Sequence, residues 1–171
     1  MNDDMFFALR YQHDLFVTSE YMRLLTGHFL HLSVAHLLLN LFGLTLMWLL
    51  FARALLISEW FFLIVASALI TSLCLYFFSP HVGWYVGLSG LLHAVFVAGL
   101  LLEHELSRAV KCVAAFVLAF KLVWEQLSDS IFESQSLFDG VIIVDAHLYG
   151  ATAGLIVGVT LLLLKSRRKK L

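Results

Sequence analysis

Five apolar stretches, at residues 24–51, 60–78, 86–102, 109–127 and 146–164, take up most of this 171-residue chain. Each comes close to the ~20 residues needed to cross the hydrocarbon core of a bilayer, and the first is long enough to cross at a tilt. Lipid offers backbone N–H and C=O groups no partner, so a spanning segment must pair them internally as a helix. The expected fold is an all-α integral membrane protein: one helical bundle of about five transmembrane helices over residues 1–171. Composition agrees, with 61% hydrophobic residues and a mean hydropathy of +0.93, against roughly 45–50% apolar in a soluble domain. Residues 1–23 read as a juxtamembrane segment and residues 165–171 as a basic tail. The only proline, Pro80, lies in Ser79-Pro80-His81-Val82-Gly83-Trp84, a turn that returns the chain to the membrane.

The placement of charge orients the bundle. A formal net charge of −1 gives no electrostatic footing for a nucleic-acid partner. Lys165-Ser166-Arg167-Arg168-Lys169-Lys170 follows the last apolar stretch, Arg108 and Lys111 lie between the third and fourth, and Arg53 falls on the same side. These belong in the cytoplasm by the positive-inside rule. The connection over residues 125–145 holds Asp129, Glu133 and Asp139 but no lysine or arginine, which fits the exterior of a bacterial inner membrane. Ser89, His147, His36 and Asn40 then share the outer half of the bilayer. Cys74 and Cys112 show neither metal-ligand nor CxxC spacing.

Polar and ionisable groups inside a bilayer are costly, which makes them functional candidates by default. Ser89 and His147 each open an apolar stretch. At about 100° per residue, Ser89 and His93 share a helix face, as do His36 and Asn40. His147, Gly150, Gly154 and Gly158 form one stripe, and Gly90, Ala94 and Ala98 form another; small residues at this spacing let two helix backbones approach. Pairing the stripes brings the imidazole of His147 to the hydroxyl of Ser89. Serine becomes a competent nucleophile when a base within roughly 2.6–3.2 Å takes its proton. His36, Asn40 and the backbone N–H groups around Ser89 are the donor types that an oxyanion needs, and Gly87 and Gly90 allow a tight turn beside a substrate. A packing serine and a core histidine are the plainer alternatives. His31 lies about 140° from His36 on a helix and reads as structural. His28 reads as interfacial, His13, His81 and His104 as solvated, and Trp84, Tyr85 and Trp124 as interfacial anchors.

Three motifs in order carry a resemblance. Thr26-Gly27-His28 with His36-Leu37-Leu38-Leu39-Asn40, then Gly87-Leu88-Ser89-Gly90, then Ala146-His147-Leu148-Tyr149-Gly150 with Gly154, resemble the catalytic helices of rhomboid intramembrane serine proteases. The finer pattern Gly87-Leu88-Ser89-Gly90-Leu91-Leu92-His93 and Asp145-Ala146-His147 is similar to the rhombosortase branch. The resemblance implies a Ser89–His147 dyad without cofactor or metal, an oxyanion site using His36 and Asn40, and His93 where many rhomboids stack a tyrosine on the histidine. It further implies membrane-anchored protein substrates, with C-terminal tails of glycines, a transmembrane helix and a basic cluster. Rhomboids have a six-helix core, and residues 1–21 are too short and polar for the helix that precedes His28, so that first helix is expected to be missing. Two other readings use the same residues: a haem or metal carrier with His36 and His147 as axial ligands, and an inactive relative that binds membrane clients.

Overall fold

The computed structural model describes residues 3–128 and 142–168. Its elements in chain order are α1 (Asp3–Leu9), β1 (Tyr11–Gln12), α2 (Leu15–Thr18), α3 (Arg23–Thr26), α4 (Val34–Phe51), α5 (Ile57–Phe78), β2 (Trp84–Tyr85), α6 (Ser89–Leu102), α7 (Arg108–Leu127) and α8 (Asp145–Arg168), with a 3₁₀ turn at Gly27–Phe29. Residues 129–141, and with them Asp129, Glu133 and Asp139, lie outside the described residues, as do Lys169 and Lys170 of the tail.

All five apolar stretches form helices, but the first is divided. Leu30 turns extended at φ −90° and ψ 156°. Ser33 then starts α4 afresh, its Oγ accepting the His36 N–H at 3.2 Å as an N-cap. This corrects the single tilted span expected over residues 24–51. The short α3 and its 3₁₀ turn are instead pinned to α5. Ser72 Oγ donates to the Leu24 carbonyl at 2.7 Å, and His28 Nε2 lies 2.9 Å from that Oγ and 3.1 Å from the Ala68 carbonyl. With Ser72 donating its only proton to Leu24, His28 must supply the Nε2–H. His28 is fully buried, not interfacial: its ring supplies a buried hydrogen bond that ties two helices.

Residues 3–26 form a folded cap. The buried Arg23 guanidinium donates to the Phe7 carbonyl at 2.9 Å and pairs with Glu20 at 2.8 Å. Such satisfaction of several donors is what makes a buried guanidinium tolerable. β1 pairs antiparallel with β2, Tyr11 opposite Tyr85. His13, expected to be solvated, is half-buried and stacks on Tyr76 with ring centroids 4.9 Å apart. The cap therefore anchors β2, and β2 leads directly into Gly87-Leu88-Ser89.

Among the described residues, α4, α5 and α8 are long and apolar enough to cross a membrane. The 14-residue α6 spans only about 21 Å at 1.5 Å per residue. The chain before it, including buried Ser79, Val82, Val86 and Leu88, makes up the difference as irregular backbone within the bundle, which is tolerated at membrane depth where protein covers it. α6 is the central helix, with Leu91, Ala94 and Ala98 fully buried. It meets α8 along the two small-residue stripes: a Cβ on Gly150 would fall 2.0 Å from the Gly90 carbonyl oxygen, and one on Gly154 2.2 Å from that of Ala94. At the far end, Phe51, Leu63, Val95, Leu102, Val157 and Leu161 form an apolar core. There Lys165, the first residue of the basic tail, binds Glu59 at 2.8 Å and the Ala54 carbonyl at 2.7 Å.

Candidate active site

Gly87 is the one glycine in the left-handed region among the described residues, at φ 133°. The position suits glycine twice over. A side chain there would be strained, and its Cβ would sit 3.1 Å from the His36 ring. Tyr85, expected at an interface, is buried, and its hydroxyl donates to the Gly87 carbonyl at 2.5 Å. A phenol is a good donor to a carbonyl, and this hydrogen bond fixes the turn. Ser89 follows as the first residue of α6, where four backbone N–H groups have no partner within the helix and the helix dipole is positive.

Ser89 Oγ lies 3.0 Å from Nε2 of His147, the third residue of α8. The contact depends on the glycine seam: Gly150, one turn beyond His147, rests on the backbone of Gly90, next to Ser89. His147 is 6% exposed, so water competes little for its ring. The His93 ring stacks on it, with centroids 4.4 Å apart and planes 19° from parallel. His93 is itself held by the Ser89 carbonyl, 2.7 Å from its Nδ1.

The expected oxyanion donors come from α4. His36 abuts Gly87, and three residues beyond Asn40 the missing Cβ of Gly43 points at Leu92. Asn40 therefore falls between a contact of α4 with Gly87, just before α6, and one with Leu92 of α6. It is 4% exposed, and its Nδ2 has no hydrogen-bond partner among the described residues. A buried amide without an acceptor costs about 1–3 kcal/mol, a cost that a substrate oxyanion would remove. His31 requires a correction. Its ring meets that of His36 edge-on at 5.1 Å, because residues 30–33 precede α4 and the helical angle used to separate the two does not apply there.

Two side chains outside the candidates expected from the sequence complete the cluster. Glu125 places its carboxylate oxygens 3.1 and 3.2 Å from His147 Nδ1. Lys121, one turn back on α7, bonds Glu125 at 2.6 Å and His93 Nε2 at 3.0 Å. The signal was present in the sequence: a lysine and a glutamate four residues apart inside an apolar helix fall under the same rule that singles out Ser89 and His147. With Nε2 on Ser89 and Nδ1 on Glu125, neither ring nitrogen of His147 is free for an axial metal bond, which counts against the haem reading. His93, Glu125 and His147 do bring ligand-type atoms within 4.8 Å of one another. The Lys121 ammonium already binds two of the three, so an ion would have to displace it. Beside the site, a cavity of about 410 Å³ is lined by Leu32, Trp84, Tyr85, Val86, Ile143 and Val144, among others.

The family model of the Rhomboid domain matches residues 18–164. The chain belongs to the rhomboid family. Members of this family are typically intramembrane serine proteases acting on membrane proteins in the bilayer, and the mostly helical fold with apolar spans is that of an integral membrane protein. No curated protein matches the sequence.

Proposed function

We propose that this rhomboid is an intramembrane serine endopeptidase in which Ser89 is the nucleophile and His147 the base. The observation that carries the reading is the 3.0 Å contact between Ser89 Oγ and His147 Nε2, made across helices whose backbones touch. The Ser89 proton passes to Nε2 as Oγ bonds to the scissile carbonyl carbon. The resulting oxyanion accepts hydrogen bonds from Asn40 Nδ2, His36 and the backbone N–H groups at the start of α6. Collapse breaks the C–N bond, and His147 returns its proton to the leaving amine. Water, deprotonated by the same imidazole, then releases the acyl group. His93 keeps the His147 ring plane fixed throughout.

The substrate class we propose is a membrane-anchored protein whose C-terminal tail carries glycines before its transmembrane helix, as in the rhombosortase branch. A scissile bond must leave its helix to present a carbonyl to Ser89, and each glycine makes that unwinding about 1 kcal/mol cheaper than alanine. Arg53, Arg108, Lys111 and the tail beyond Lys165 favour a cytoplasmic C-terminus and an outward-facing site in a bacterial inner membrane. Cleavage there would release the passenger outside. Co-expression with a reporter on such a tail tests the reading: release of the reporter should need both Ser89 and His147 and should fall strongly when the glycines become leucine. Equal release from both tails would defeat the glycine-tail assignment, and release by a Ser89→Ala protein would defeat the mechanism.

A further inference from the structure

The hydrogen-bond chain continues past His147, and every link in it has a forced direction. A lysine ammonium can only donate, so His93 Nε2, 3.0 Å from Lys121 Nζ, must accept. The His93 proton is then on Nδ1, facing the Ser89 carbonyl 2.7 Å away, which can only accept. By the same logic the Glu125 carboxylate accepts from His147 Nδ1, leaving the Nε2 lone pair for the Ser89 hydroxyl. Both imidazoles thus carry a proton on Nδ1, and the neutral Nδ1–H form of His147 is the one in which it can act as a base toward Ser89.

We infer that Glu125 is a positioning residue that makes the site a Ser89–His147–Glu125 triad, with Lys121 as the clamp that holds the carboxylate. The inference rests on the serine-protease reading above. As Ser89 gives up its proton, His147 becomes an imidazolium whose Nδ1–H already faces a carboxylate, so its charge develops against a counter-charge in place before the reaction. Lys121 serves two ends at once. It orients Glu125 at 2.6 Å, and by occupying His93 Nε2 it keeps a second cation from forming in the ring stacked on His147. An ion pair within the last turns of a membrane helix is costly unless something uses it. Here each charge has a second partner, on α8 for Glu125 and on α6 for Lys121.

The rate at which a fluorophosphonate labels Ser89 in the full-length protein tests this without a substrate. In that reaction Oγ bonds to phosphorus, fluoride leaves, and the serine proton goes to His147. Glu125→Gln should slow labelling by up to roughly 10⁴-fold, the scale set when the acid of a serine triad is neutralised, and Glu125→Asp should recover at least about tenfold of that loss. The groups facing His147 are Glu125 and Lys121 from α7, Ser89 and His93 from α6, and His36 from α4; Asp145 is turned to Ser79 and His81. Glu125→Gln keeps the size and shape of the side chain, so its unfolding transition should match that of wild type while labelling falls. Lys121→Met leaves the carboxylate in place and removes only its clamp, so it should slow labelling less than Glu125→Gln does. A loss of labelling that Glu125→Asp restores and that the unfolding transition does not share is not what a packing defect produces. Labelling within about twofold of wild type in Glu125→Gln, or no recovery in Glu125→Asp, would overturn the triad while leaving the dyad standing. A wild-type protein that does not label at all defeats the protease reading itself, and the triad with it.

Discussion

The α6–α8 seam and α7 contribute to the same site in opposite ways. Along the seam, Gly150 and Gly154 sit so close to the carbonyls of Gly90 and Ala94 that no Cβ fits between. α7 buries one residue, Leu122, of its 20, while Val113, Phe116, Phe120 and Trp124 face outward. Its polar contacts with the proposed site are made near its C-terminal end through Lys121 and Glu125, while Ala114 packs on the far-end core and Lys111 bonds the Glu103 carbonyl. Backbone-to-backbone contact cannot be adjusted by rotating a side chain, so the seam fixes Ser89 against His147 as rigidly as a fold allows. A contact made through the tips of a lysine and a glutamate can be broken and remade at the cost of two hydrogen bonds. The proposed nucleophile and base are therefore held by backbone contact, whereas the proposed orienting group, Glu125, reaches the base only through side-chain hydrogen bonds.

Substitutions along the two regions should sharpen that contrast, and the largest effects belong to the seam. Gly150→Leu drives a side chain into the Gly90 backbone, with neither partner able to yield. It should cost more than about 3 kcal/mol of unfolding free energy in detergent and abolish labelling of Ser89, as overpacking at its worst does. A tolerated Gly150→Leu would mean that the helices do not meet there. Ser72→Ala comes next. It deprives buried His28 and the Leu24 carbonyl of a partner, with an expected loss of about 1–3 kcal/mol. Gly158→Ala should cost less than Gly150→Ala, because its Cβ would lie 3.0 Å from Ala98 Cα and from a movable Leu101 methyl. A reversed order would show that the seam is tightest at its far end. Smallest of all, Phe116→Ala on the outward face of α7 should stay within about 0.5 kcal/mol. A loss of 2 kcal/mol or more would reveal a partner for that face.

Much of this was legible in the sequence because membrane helices leave few options. Small residues four apart on two apolar stretches can serve close packing, and the matched register of Gly90, Ala94 and Ala98 against Gly150, Gly154 and Gly158 follows from that. The proximity of His36 to Gly87 was readable from its motif. The parts that were not legible share one cause, which is assuming a secondary structure and reading angles from it. Helical rotation sets His31 away from His36, but Leu30 is extended and the rotation does not apply. Tyr85 and Trp84 are adjacent aromatics with the same interfacial preference, yet strand pairing with Tyr11 buries the former and leaves the latter 41% exposed. Glu125 borders an acidic connection in the sequence, yet it lies in the last turn of α7 and reaches back to His147.

Orientation depends on the charge pattern alone. A cysteine at Ser134, in the segment outside the described residues, should react with an impermeant thiol reagent from the outer side of intact cells; reaction only after the inner side is opened would invert the topology and place cleavage in the cytoplasm.

The central claim is that Ser89 is a nucleophile because His147 activates it. Its most direct test is to locate the phosphonate adduct by mass spectrometry of the purified, folded protein. The account predicts one adduct, on the peptide containing Gly87-Leu88-Ser89-Gly90, present in wild type and lost in His147→Ala while that variant keeps its unfolding transition. An adduct on another serine, or one on Ser89 that forms equally fast without His147, would contradict it.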